Sequence, residues 1–279
     1  MAIFLDVNKT ELSMKHQQVM EVIEKMGIVN VAYMSIEDIA REAKVSTATI
    51  SRFWQVAGYK NFKQFKEHVK QRINTTPENK LRNFFLDMGS DDVFDRIIEQ
   101  SYQYLFQTHT HLNREDLNES AVEIKKAKRV IVYAPSSSEG LGNLIEHRLK
   151  RFGIPVEKMA KSGHEIFESM IHFQEGDCIV IFQYVKLLPE TEAILNYANQ
   201  LNIKSILFTD QLVASMNKLA DYVLYAHRGD AWDFHSMVAP TTVVETLVML
   251  IGNQLEQQSI ENLEKLSKLR RDYGDIIPS

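Results

Sequence analysis

The chain has 279 residues, 44% of them hydrophobic and 25% charged, with a formal net charge of −5 at pH 7. That length suits one large or two modest domains, and the composition is that of a soluble globular protein. No apolar run reaches the ~20 residues of a membrane span, the overall charge argues against a general polyanion binder, and the single cysteine, Cys178, excludes an internal disulfide framework or a multi-cysteine metal site.

The opening MAIFLDVNKTELS lacks the basic start and small-residue cleavage site of a secretory signal, so a cytoplasmic protein is expected. Residues 14–26 place Val19, Val22, Ile23 and Met26 at helical spacing. Ser35 is a good N-cap for a second helix, with Glu37 and Asp38 in its first turn and Ile36, Ile39, Ala40 and Ala43 along one face. After a short turn at Lys44 and Val45, Ser46 caps a third helix whose inner face is Ile50, Phe53 and Ala57 and which Gly58 ends. Asn61 caps a fourth, with Phe62, Phe65, Val69 and Ile73 inward.

The second and third of these helices have the requirements of a helix–turn–helix. Ala40 is the small residue at the crossing, and Val45, Ile50 and Phe53 dock the second helix. Ser46, Thr47, Thr49, Ser51, Arg52 and Gln55 are left for the outward side and the N-terminal end. Hydroxyls suit phosphate oxygens and thymine methyls, an arginine suits a guanine edge or a phosphate, and a glutamine suits adenine. Lys44 stands at the turn position where glycine is common. A left-handed backbone there costs a lysine on the order of 1 kcal/mol over glycine, which a phosphate contact could offset. From Lys44 to Arg72 the basic residues Lys44, Arg52, Lys60, Lys63, Lys66, Lys70 and Arg72 face one acid, Glu67, so this stretch carries +6 and the remainder −11. A local basic patch on an acidic protein fits a nucleic-acid-binding module joined to something else; a solvated helix face is the other reading of the Lys60–Arg72 run.

The polar NTTPEN, 74–79, reads as a domain break. Helical patterns follow at 79–88, 92–109 and 115–127. From Arg129 the texture changes to short apolar runs at 129–134, 155–159, 177–182, 204–208 and 221–225, separated by helical segments at 140–152, 164–173, 189–201 and 212–220. Strands apolar on both faces and alternating with helices predict a parallel sheet covered on each side. Cys178, within DCIVIF, reads as a buried small hydrophobe. A long apolar helix is expected at 240–255, then a tail with Ile260, Leu263, Leu266 and Leu269 as a packing stripe.

Residues 34–69, MSIEDIAREAKVSTATISRFWQVAGYKNFKQFKEHV, closely resemble the N-terminal domain of the RpiR/MurR family of bacterial transcriptional regulators, and Ser35 through Lys66 fill nearly every position of its shared pattern. The resemblance implies an α/β protein: an all-α helix–turn–helix domain at 1–76, a helical linker at 77–114, and at 115–279 a SIS (sugar isomerase) domain with a five-stranded parallel sheet flanked by helices, together with dimerisation helices. It implies double-stranded operator DNA as partner, contacted by Lys44, Ser46, Thr47, Thr49, Ser51, Arg52, Gln55, Lys60 and Lys63, and a homo-oligomer, dimer or tetramer. No membrane, cofactor or metal is implied; His109 and His111 are two apart on a helix and point to different faces.

The family's SIS domain senses a sugar phosphate, and in such sheets ligands sit beyond the carboxyl ends of the strands at the switch point. That places an effector site on the loops after the first and third strands, with Ser136, Ser137, Ser138, Glu139, Gln183 and Lys186, and with His164, His235 and Glu245 as further candidates. The loops depart from the family's pattern. The glycines before Ser138 are replaced by Ala134 and Ser136, Glu139 adds a negative charge, and three hydroxyls of the second loop are replaced by Gln183, Val185 and Leu188. A different ligand, no ligand, or a sugar phosphate held through altered contacts from Ser136, Ser137, Ser138 and Lys186 all stay open. The expected function is DNA-binding transcriptional regulation of carbohydrate metabolism without catalysis. The alternative is a SIS-type sugar-phosphate-binding protein or isomerase with a vestigial helical head; for an isomerase, Glu139 and Glu245 are candidate bases by position only.

Overall fold

A computed structural model describes residues 12–73, 76–88, 92–185, 188–212 and 218–277. The chain divides into two compact units, one of residues 1–91 with 229–234, the other of 92–228 with 235–279.

The first unit is helical: α1 (Met14–Met26), α2 (Ile28–Tyr33), α3 (Ile36–Glu42), α4 (Thr47–Val56), α5 (Phe62–Ile73) and α6 (Pro77–Met88). Its helix starts are written in side chains. The Ser13 hydroxyl accepts from His16 N. Ser35 and Asp38 form a reciprocal capping box at α3, Asp38 N donating to Ser35 Oγ (3.0 Å) and Ser35 N to Asp38 Oδ2 (3.4 Å). Such caps are each worth about 0.5–2 kcal/mol. The core gathers Val19, Ile23, Val31, Ile39, Ile50, Phe53, Phe65 and Val69, all fully buried. Trp54, also fully buried, stacks on Phe65 (ring centroids 4.0 Å) and Phe62 (5.1 Å). Trp232, from the excursion 229–234, belongs to this core as well.

The second unit begins with α7 (Val93–His111) and α8 (Arg114–Lys126), capped by Asp92 and Asn113. The strands are β1 (Arg129–Tyr133), β2 (Val156–Lys158), β3 (Asp177–Phe182), β4 (Lys204–Thr209) and β5 (Tyr222–Tyr225), all parallel in the order β2-β1-β3-β4-β5. Alternate residues feed two cores. Val130, Val132, Cys178, Val180, Phe182, Ile206, Phe208 and Leu224 face α8, α9 (Glu139–Arg151) and α12 (Val238–Asp272). Ile131, Tyr133, Ile179, Ile181 and Leu207 face α10 (Glu165–Met170) and α11 (Pro189–Gln200). Burial pushes the Cys178 thiol far above its ordinary range, as expected of a packing residue. At the amino ends of the strands, Arg129 clasps buried Asp177 through Nη2 (2.6 Å) and Nε (3.2 Å), pairs with Glu157 (2.6 Å), and donates to His172 O (2.8 Å).

Two elements differ from the sequence expectation, and a third lies mostly beyond the described residues. The six-residue α2 was not foreseen, since Gly27 before it offers no side-chain cap. The apolar helix and the tail are one helix, α12, broken at Glu256. Its Ile260, Leu263 and Leu269 are exposed within the chain rather than packed. α12 is long and apolar enough by length and composition to cross a membrane, but Val243, Val244, Leu247, Val248 and Ile251 are buried against the sheet. The helix expected at 212–220 falls mostly outside the described residues.

Candidate nucleic-acid interface and effector site

α3 packs against α4, with Ala40 and Ala43 buried and Val45 packed on the same core. The turn between them closes through Val45 N donating to Ala40 O (3.0 Å) and Lys44 N to Arg41 O (3.3 Å). Lys44 has φ 53°, the left-handed conformation expected at that position. Ser46 caps α4, its Oγ accepting from Thr49 N (3.2 Å) and lying 2.9 Å from Thr49 Oγ1. Ile50 and Phe53 are buried as expected. Trp54 joins them, an anchor that the sequence reading missed because its neighbour Phe53 already filled the inward position.

The outward face of α4 is then fixed by helical geometry. Thr47, Ser51 and Gln55 form one exposed row; Ala48, Arg52 and Val56 form the next. The hydroxyls are not equivalent. Ser46 and Thr49 serve the cap, and Ser51 Oγ donates to Thr47 O (3.1 Å). Around this face Lys44, Lys60 and Lys63 are exposed. Lys63 Nζ stands 4.0 Å from Glu67 on the surface, a pairing that costs little to exchange for a phosphate. Lys66 is committed elsewhere: its Nζ donates to Met34 O (2.6 Å) and lies over the Phe62 ring (4.6 Å), so it acts as a brace for the helical unit. The outward N-terminus of α4 adds the amide donors and dipole that attract a phosphate.

In the second unit the loop after β1 forms a 3₁₀ turn, Ser136–Ser138, leading directly into α9. Ser136, at φ 54°, and Ser137 are exposed; Ser138 is buried. The Ser138 hydroxyl donates to Pro135 O (2.6 Å) and lies 3.5 Å from Phe182 O, tying the loop to the end of β3. A Cβ on Gly142 would stand 2.7 Å from the Ala134 Cβ, so the alanine in this loop is accommodated by a glycine in the first turn of α9. Glu139 pairs with Lys161 (2.7 Å), and that hydrogen bond and charge hold its carboxyl below the usual range. The charge that appeared to oppose a phosphate is thereby balanced. Gln183 is buried, with Nε2 donating to Tyr184 O (3.1 Å) and Oε1 accepting from Thr191 Oγ1 (2.6 Å), so its amide is locked into the fold. Lys186 lies outside the described residues.

The further candidates separate. His164 is exposed at the start of α10, and His235 is half-buried. Glu245 pairs with Arg148 of α9 (2.8 Å), on the helical layer rather than at the strand-end loops. Among the described residues, no group of three His, Cys, Asp or Glu is placed to hold a metal ion.

The carboxyl ends of β3, β4 and β5 hold a buried cluster that the sequence did not single out, sharing only Tyr184 and Val185 with the second predicted loop. Arg228 lies over the Tyr184 ring, 4.4 Å from its centroid, with Nη1 3.8 Å from Asp210 Oδ2. Asp210 is engaged through its other oxygen by Val185 N (2.8 Å) and Gln211 Nε2 (3.2 Å).

Two family descriptions match the chain: a helix-turn-helix domain of the rpiR family over residues 2–76 and a SIS domain over 123–251. An HTH-type transcriptional regulator of Clostridium perfringens is 24% identical over 247 residues, 88% of each chain. The HTH-type transcriptional regulator RpiR of Escherichia coli is 19% identical over 224 residues, 80% of this chain and 75% of that one. Among solved structures, the Vibrio vulnificus NanR protein complexed with ManNAc-6P is similar over 97% of both chains, with a TM-score of 0.59 and 19% identity.

Proposed function

The chain belongs to the rpiR family of helix-turn-helix transcriptional regulators that carry a SIS domain, and from that premise we propose that it binds operator DNA in the cytoplasm as a homo-oligomer under the control of a carbohydrate effector. The observation that carries the reading is the outward face of α4. The side chains of Thr47, Arg52 and Gln55 point away from the core and make no hydrogen bond or ion pair among the described residues, while Ile50, Phe53 and Trp54 hold the helix rigidly from behind. Rigid presentation of free polar side chains is what direct readout of base edges requires. In this reading Arg52 and Gln55 read bases. Thr47, Ser51, Lys44, Lys60 and Lys63 meet the backbone, and Ser46 and Thr49 fix the angle of entry.

Oligomerisation is supported by α7. Phe94, Ile98, Tyr102 and Phe106 recur every fourth residue and are exposed, as is Ile97. A continuous apolar row on one helix of an otherwise well-packed unit is a surface for a second copy. Two heads would then address half-sites about 34 Å apart on a near-palindromic operator.

For the effector, the relative solved with ManNAc-6P suggests a sugar phosphate at the SIS domain. Here Ser136, Ser137 and Lys161 are the exposed polar groups around the first loop. Ser138 and Gln183 support the site from beneath. Catalysis is no part of the proposal: Glu139 and Glu245 both stand in ion pairs with basic partners.

A gel-shift with DNA upstream of the protein's own gene tests the reading. Specific retardation that weakens as salt rises is expected. Equal retardation of that DNA and a scrambled duplex, or none at all, would favour a sugar-binding protein whose helical head has lost its role.

A further inference from the structure

The Arg228 cluster has the marks of an unfilled anion site. Tyr184 follows β3, Asp210 follows β4 and Arg228 follows β5, so the three come together on the β5 side of the sheet, away from the β1–β3 switch point. Arg228 is 4% exposed and Tyr184 8%. Its carboxylate neighbour stands too far away to accept a hydrogen bond, and the guanidinium carbon lies 4.4 Å from the centroid of the Tyr184 ring. The Nε–H of Arg228 and the hydroxyl of Tyr184 are both buried and, among the described residues, both without a partner. A buried donor left unpaired is costly, and an acceptor that meets it recovers that cost.

We propose that Arg228 and Tyr184 form a second small-molecule site, for a carboxylate, at the carboxyl ends of β3, β4 and β5. The chemistry selects the class. The edge of a guanidinium presents parallel N–H donors spaced to match the two oxygens of a carboxylate. The Tyr184 hydroxyl supplies a further donor. Asp210 offsets the guanidinium charge, so a monoanion meets less repulsion there than a phosphate dianion does. Val185, at φ 69°, carries the amide that holds Asp210 in place. This site depends neither on DNA binding nor on the effector reading of the first loop.

The test is a melting series on the full chain at pH 7 and fixed ionic strength, with acetate, propionate and glucuronate as probes and chloride and inorganic phosphate as controls. A saturable rise in melting midpoint with at least one carboxylate, absent with chloride, is expected; a rise with phosphate belongs to the first-loop site and should be the same in Tyr184→Phe as in the parent protein. Tyr184→Phe removes one oxygen and no charge, so it should fold and should weaken carboxylate binding about 2- to 10-fold; Arg228→Gln should abolish it. The proposal is overturned if all three carboxylates give the chloride curve, if Tyr184→Phe weakens the phosphate response as much as the carboxylate response, or if the carboxylate rise is unchanged in Tyr184→Phe. Should Arg228→Gln fail to fold, the Tyr184→Phe comparison decides alone.

Discussion

Replacing Arg52 by alanine separates reading from folding. The side chain is exposed and makes no hydrogen bond or ion pair among the described residues, so its loss should change the stability of the helical unit by no more than about 0.5 kcal/mol. If its guanidinium meets a guanine edge, the loss from operator affinity is about 1–3 kcal/mol, which is roughly a 5- to 150-fold rise in Kd. Ser46→Ala provides the contrast. It removes the cap of α4, a bond of 3.2 Å to Thr49 N, and should cost about 0.5–2 kcal/mol of stability. Fluorescence anisotropy with labelled operator and a scrambled duplex, alongside thermal melts, reads both. Arg52→Ala with a wild-type melt and weakened operator binding, but little change on the scrambled duplex, is the expected pattern. Unchanged operator affinity in a folded Arg52→Ala protein would refute the assignment of that face.

Three further outcomes are expected. Lys63→Ala should weaken binding to all DNA alike and lower the slope of log K against log salt by about 1, measured by anisotropy at several salt concentrations; Lys66→Ala should instead lower the melting temperature, because Lys66 holds the Met34 carbonyl. Phe106→Asp, on the exposed row of α7, should shift the sedimentation coefficient toward a monomer while leaving the circular dichroism spectrum intact. Asp221 is subject to burial, which raises its pKa, but hydrogen bonds from Lys204 and from the Ser205 amide and hydroxyl outweigh that and hold it below the ordinary value. Its contribution is therefore fully present above about pH 4, the unfolded value, and is lost as pH falls through the lower folded value. Denaturant titrations should show a flatter acid limb in Asp221→Asn than in the parent protein.

What the sequence revealed and what it concealed divide along physical lines. Caps and periodicity are local, so Ser35, Ser46 and the inward Ile50 and Phe53 could be read directly, as could the alternation that builds the sheet. The left-handed Lys44 was also legible, because the spacing of the two helices leaves one turn residue between Ala43 and Val45. Lys66 reads in the sequence as a DNA-backbone lysine like Lys63; its bond to the Met34 carbonyl corrects that, and could not be foreseen because the partner is 32 positions away. The same distance effect hid the Arg228 cluster, whose members are brought together only by the parallel order of β3, β4 and β5. Ser138 and Gln183 were legible as polar residues of the loops after β1 and β3. That their hydrogen-bonding groups serve Pro135, Tyr184 and Thr191 follows only from the fold. α12 reads in the sequence as a helix and a separate tail because its dense apolar pattern stops after Leu255, although the backbone continues through a break at Glu256.

The central claim is that the outward face of α4 lies in the major groove. Methylation interference on the operator addresses it most directly, because methylation at guanine N7 blocks the major groove and methylation at adenine N3 blocks the minor. The account predicts interference at guanine N7 in two clusters about one helical turn, or a multiple of it, apart. Interference confined to adenine N3, or none at any base while binding persists, would contradict it.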